Sequence, residues 1–129
     1  MNFEEIKFCD TNNNLLQDGE LFKYIKMLAE DKRDEGVVIG IERTELMQFF
    51  DACKGNAIVE CVELDENKVA TAQPKNNCLV IAVGNKNVEL NEMHSLLESI
   101  STTYAQNSIF TLIVDGAMPH KSKVYIIYS

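Results

Sequence analysis

The chain has 129 residues, 46% of them hydrophobic and 25% charged, values that fit one domain with a real core and exclude a disordered chain. A formal net charge of −8 and a pI near 4.7 exclude nucleic acid or an anionic membrane as the main partner, because both require a basic patch. The largest basic cluster, His120–Lys121–Ser122–Lys123, is short and local.

The amino terminus, MNFEEIKF, carries two glutamates where a signal peptide needs a basic start and an apolar run. No apolar stretch approaches the roughly 20 residues that span a bilayer, so no membrane insertion is expected. Residues 5–8 read as a short strand, and 11–14 (TNNN) as a turn whose asparagines favour local hydrogen bonds and left-handed backbone. Asp18 then caps a helix running to about Asp31, with Phe22, Ile25, Leu28 and Ala29 on one face. Gly36 punctuates before a strand over 37–41. Thr44 caps a second helix in which Leu46, Phe49, Phe50 and Cys53 recur at helical spacing, and Gly55 closes it.

Residues 57–64 alternate imperfectly as a strand, and the polar stretch 65–77, with Pro74, is the longest loop. Residues 78–83 form a nearly continuous apolar strand, the mark of a central position covered on both faces. Leu90, Met93, Leu96, Leu97, Ile100 and Tyr104 make a helical stripe, of which Leu96, Leu97 and Ile100 are expected to face the sheet formed in part by Val80, Ile81, Leu112 and Ile126. Two further strands follow over 109–114 and 123–128. Nothing repeats and nothing reads as a linker, so residues 1–129 form a single domain of α/β class.

The four cysteines, Cys9, Cys53, Cys61 and Cys78, show neither CxxC spacing nor a regular framework. Cys53 and Cys61 sit in patterns that look buried. All four read as reduced thiols of a cytoplasmic protein. His94 and His120 have no neighbours at metal-ligand spacing, so no metal site is expected. Neither histidine has an orienting partner in sequence, and Cys78, at the start of a buried strand, makes a poor nucleophile.

The turn after the strand in NCLVIAVGNKNVELNEMHSLL poses the sharpest question. A phosphate cradle needs several glycines whose backbone N–H groups converge on the anion. Here Gly84 stands alone, and Glu89 and Glu92 repel phosphate while suiting the positive end of a helix dipole. The turn reads as architecture, and no cofactor is expected there.

The same stretch carries a resemblance. VIAVGNKNVELNEMHSLL, a strand ending in glycine followed by an apolar–x–Leu–x–Glu–apolar helix opening, resembles the carboxyl-terminal domain of the cell-division GTPase FtsZ, the tubulin relative. SIFTLIVDGAMPHKSKVYIIYS resembles that family's next strand, its acidic turn (here Asp115) and its last strand; LFKYIKMLAEDKRDEGVVIGIE matches less closely. The resemblance implies a central sheet of about four strands packed against two or three helices. The family's glycine-rich nucleotide loop has no counterpart here, so the isolated chain is expected to bind no nucleotide and to be no enzyme by itself. The family's carboxyl-terminal half also supplies an acidic pair that activates water on an adjacent subunit's nucleotide. In NLLQDGELFKYI, Asp18 fits the first carboxylate, while the second position falls near Leu21, with Glu20 one residue early. A capping Asp18 and a dipole-favouring Glu20 are the simpler reading.

The function expected is therefore a protein-interaction or self-assembly module, with cell division or a cytoskeletal filament as its setting. The alternative is an accessory subunit that completes a partner GTPase through Asp18 and Glu20. The resemblance allows the apolar last strand, KVYIIYS, to be internal, with 57–64 at the edge. Whichever strand is exposed, self-association or a protein contact is expected through a face that includes Tyr125 or Tyr128.

Overall fold

The computed structural model describes residues 5–17, 19–63, 78–85, 108–116 and 122–129. They form a six-stranded mixed sheet with two helices. In chain order the elements are β1 (Lys7–Cys9), α1 (Gly19–Ala29), β2 (Val37–Ile39), α2 (Arg43–Ala52), β3 (Asn56–Glu63), β4 (Cys78–Gly84), β5 (Ser108–Val114) and β6 (Ser122–Tyr128). The sheet order is β1-β3-β6-β4-β5-β2. β4 and β5 are parallel, as are β1 and β3; β6 runs antiparallel to both of its neighbours, β3 and β4, and β2 runs antiparallel to β5. The α/β class holds, and the central four strands gain an edge strand on each side.

The alternation of side chains along the inner strands makes two cores. Leu79, Ile81, Val83, Ile113, Tyr125 and Ile127 face the side that packs with the buried stripes of α1 and α2. Cys78, Val80, Ala82, Leu112, Val124, Ile126 and Tyr128 fill the opposite side. All of β4 is buried, so both of its faces must be apolar, and the continuous run CLVIAVG meets that demand. Of the four sheet residues expected to share one face, Val80, Leu112 and Ile126 do; Ile81, one position off their alternation, faces the other way. The helical stripe from Leu90 to Tyr104 and the loop 65–77 lie outside the described residues.

α1 buries Leu21, Tyr24, Ile25, Met27 and Leu28. Phe22, expected inside, is 36% exposed; its ring meets the edge of Phe8 at the core boundary, with centroids 5.6 Å apart. α2 starts at Arg43, with Glu42 in the cap position in extended backbone and no capping side-chain hydrogen bond, so Thr44 lies inside the first turn instead of capping it. Leu46, Phe49, Phe50 and Cys53 are buried as their spacing predicts. The chain leaves α2 through two left-handed residues, Lys54 (φ 53°) and Gly55 (φ 87°). Cys61 shares the alternation of Ala57 and Val59 yet is exposed, because the cover over β3 has ended by that point.

The asparagine turn forms as its composition predicts. The Asp10 carboxylate accepts the backbone N–H groups of Asn12 and Asn14, both at 2.9 Å, and Asn13 is left-handed (φ 65°). The hydrogen bond from Asn14, foremost, holds the Asp10 carboxyl below its ordinary range. The returning chain then covers the outer side of β1: Leu16 N–H donates to Phe8 O at 2.8 Å, and Cys9 bridges Leu15.

Among the described residues no helix is long and apolar enough to cross a membrane.

Gly36 connects α1 to β2 at φ 126° and accepts the Val114 N–H at 2.8 Å. A Cβ there would collide with the Val114 carbonyl oxygen in a backbone conformation that L side chains avoid. Gly36→Ala is predicted to cost at least about 1–3 kcal/mol from strain alone, read as a fall in urea midpoint at unchanged slope. A midpoint equal to the parent's would refute this account of the turn.

Candidate functional site

The parallel strands β4 and β5 end together at Gly84 and Val114, beside the start of the antiparallel β6. Such a reversal of strand direction leaves side chains of several elements converging at the carboxyl ends of the parallel strands. Asp115 is placed there by its backbone, whose N–H donates to Gly84 O at 2.8 Å. Its side chain, 14% exposed, accepts the Tyr24 hydroxyl at 2.7 Å and the Lys23 ammonium at 3.3 Å. Both donors come from α1, 91 and 92 residues away in sequence.

A second pair adjoins the first. Lys123 at the start of β6 approaches Glu20 in the first turn of α1 at 4.0 Å and lies 5.1 Å from the centre of the Tyr125 ring. Tyr125 in turn packs against Tyr24, centroids 6.1 Å apart. The cluster thus holds two carboxylates, two ammonium groups and two tyrosine rings in contiguous contact, tying α1 to the ends of β5 and β6. Burial foremost, then the hydrogen bond and charge of Asp115, raises the Tyr24 hydroxyl pKa far above its ordinary value. Tyr24 is therefore a fixed donor at neutral pH, suited to anchoring and unsuited to proton transfer.

The sequence-predicted candidates separate. Glu20 joins the cluster, half-exposed at the helix start; Asp18 lies outside the described residues. Tyr125 and Tyr128 are 1% and 6% exposed, because β6 is the inner strand between β3 and β4. Neither ring presents a surface to a partner, and the edges fall to β1 and β2 instead of β6 or 57–64. The Tyr128 hydroxyl donates to Glu60 at 3.3 Å, and burial raises its pKa as well. Cys78 is fully buried and its thiol is pushed up to about 12, chiefly by desolvation, with the Glu60 charge adding to it. His94 and His120 lie outside the described residues, among which no group of three or more His, Cys, Asp or Glu could hold a metal ion.

Lys23 and Tyr24 were not legible as members of a site. Tyr24 falls on the apolar stripe of α1, and only its polar tip hints at a buried partner.

The sheet, with the two helices of the described residues on one face, has an FtsZ-like α/β fold. Over 88% of its length the chain is similar to a single-residue variant of FtsZ from M. jannaschii, with a TM-score of 0.57 and 12% identity, taking in 42% of that chain. It is similar over 71% to a structure described as an empty FtsZ dimer of M. jannaschii, with a TM-score of 0.50, 15% identity and 32% of that chain covered. These identities establish the fold alone, and the chain spans less than half the length of either FtsZ chain. That share agrees with the carboxyl-terminal-domain resemblance carried by residues 78–129. No family model and no curated protein sequence matches the chain.

Tyr24→Phe is predicted to cost about 1.5–3 kcal/mol, the range for a hydrogen bond to a charged group. The folded pKa of Tyr24 lies above its unfolded value of about 10. The hydroxyl's contribution is therefore complete below pH 10 or so and is lost as pH rises further. The variant should lose stability less steeply than the parent above about pH 10, as read by chemical denaturation. Parallel pH profiles at equal stability would show that this hydroxyl anchors nothing.

Proposed function

We propose that the domain is an FtsZ-like interaction module, non-enzymatic in isolation, that associates with itself or with a protein partner in a cytoplasmic cell-division or cytoskeletal setting. The observation that carries this reading is the FtsZ-like fold over 88% of the chain. One of the similar structures is described as an FtsZ dimer, which supports self-association as the mode. The site chemistry supports it too. The charged groups at the ends of β4 and β5 neutralise one another, and Tyr24 is held protonated, an arrangement that stiffens a surface without supplying a nucleophile or base.

The second reading keeps Glu20 as a carboxylate that completes a partner GTPase. Its support is the half-exposed position of Glu20 in the first turn of α1, from which it could reach a neighbouring subunit.

Size-exclusion chromatography with light scattering, run with and without GTP, separates the two. The module reading predicts association unaffected by GTP, together with no measurable GTP or ATP binding by calorimetry. Micromolar GTP affinity, or GTP turnover by a partner that falls in Glu20→Gln while complex formation persists, would decide for the second reading.

A further inference from the structure

We infer that the exposed pair Val38–Ile39 on β2, with the carboxylates that rim it, docks a cationic segment of a partner protein: an apolar centre flanked on both sides by lysine or arginine. This rests on the module reading and names the chemistry of the partner.

The two sheet edges are unlike. The outer side of β1 is covered by the chain returning through Leu15 and Leu16. Among the described residues, β2 has β5 as its one neighbouring strand. The register between the two shifts between Val37 and Ile39, and such a bulge breaks the in–out alternation of a strand. Accordingly Val37 is buried, while the consecutive Val38 and Ile39 are 47% and 45% exposed. The N–H of Val37 already donates to Lys32 O at 3.2 Å. What this edge presents to a partner is therefore two adjacent apolar side chains, not a full ladder of backbone hydrogen bonds.

The charges around the pair select the occupant. Residues 30–45 hold six carboxylates and three cations, a net −3 of the chain's total of −8. Two of those cations are engaged, Arg33 with Asp31 at 3.2 Å and Lys32 with Glu30 at 3.9 Å. Asp34 and Glu35 before the pair, and Glu42 and Glu45 after it, are exposed and make no ion pair among the described residues. Against these four carboxylates stands Arg43, likewise exposed and without an ion pair there. Glu35 and Glu42 are four and three residues from Ile39, within about 14 Å even of fully extended chain. A bound segment with basic residues at each end spans the same distance. Both approaches to the pair are thus acidic. A second copy offering the same edge would set like charges together, and an acidic segment would be repelled at both ends. A segment basic at both ends is attracted at both, with its apolar centre on Val38 and Ile39 and its charges on the rim.

Fluorescence anisotropy of a labelled peptide, Leu-Val-Leu between paired lysines, titrated with the full chain tests the inference, with thermal melts to check that each variant folds. The parent should bind the peptide with an affinity that falls as salt rises. The same peptide with glutamates in place of its lysines should not bind. Ile39→Ser should raise the dissociation constant about tenfold, and the double variant Glu35→Gln, Glu42→Gln about threefold. Leu15→Ser, at the covered edge, should leave it unchanged. If Ile39→Ser does not fold, the glutamine pair still decides, since both residues lie outside the strand. No binding by the parent, or equal binding of the glutamate peptide, overturns this docking surface. So does a dissociation constant indifferent to Ile39→Ser or to the glutamine pair, the mark of diffuse attraction to an acidic chain, or one that rises as much with Leu15→Ser. Each of these outcomes leaves the module reading to its own test, the association seen in size-exclusion with light scattering.

Discussion

The structure depends on the burial of one strand. β6 supplies the antiparallel partner for β3 on one side and β4 on the other, and its residues 124–128 are all buried. Its two faces enter different cores: Tyr125 and Ile127 join the helix-covered side, while Val124, Ile126 and Tyr128 join the other. Without β6, β1 and β3 would have no bridge to β4, β5 and β2. The last seven-residue element of the chain is therefore the first requirement of its sheet. Such long-range pairing makes folding depend on non-local contacts.

The charged cluster is a consequence of that placement. With β6 antiparallel to β4, Lys123 at its start lies level with the carboxyl ends of β4 and β5, in register with Val83. Asp115 follows β5 at the same level, and α1 crosses close enough for Tyr24 and Lys23 to reach it. Elements at the two ends of the sequence are thus fastened by a hydrogen bond to a charged, mostly buried carboxylate. Such a bond is stronger than a neutral one and more costly to leave unmade. This fastening holds the start of α1, and with it Glu20, against the sheet.

Much of this architecture was legible because burial imposes periodicity. The continuous apolar run at 78–83 could only be an inner strand, and Leu46, Phe49, Phe50 and Cys53 mark the buried face of α2 by spacing alone. The position of β6 was not legible. An apolar strand reads the same whether two neighbours cover it or a partner does, and pairing with strands as distant in sequence as β3 and β4 leaves no local trace. Tyr125 and Tyr128 were therefore assigned to a surface that the strand order denies them. Cys61 and Phe22 failed for a related reason: periodicity tells which way a side chain points, not where the cover over it ends. The cluster failed hardest, since Tyr24 and Asp115, 91 residues apart in sequence, meet only in the folded chain. Of its members, Glu20 and Asp115 are marked by the family resemblance, and Tyr125 only for a different role.

The most direct measurement of the central claim is native-state hydrogen exchange along the last strand. If β6 is the inner strand, the amides of Val124 through Ile127 should exchange only through global unfolding, among the slowest in the chain and with equal dependence on denaturant. Amides of β2, the outermost strand on its side of the described sheet, should open at lower free energy. Fast exchange across residues 124–127, at rates typical of an exposed edge, would contradict the strand order on which this account rests.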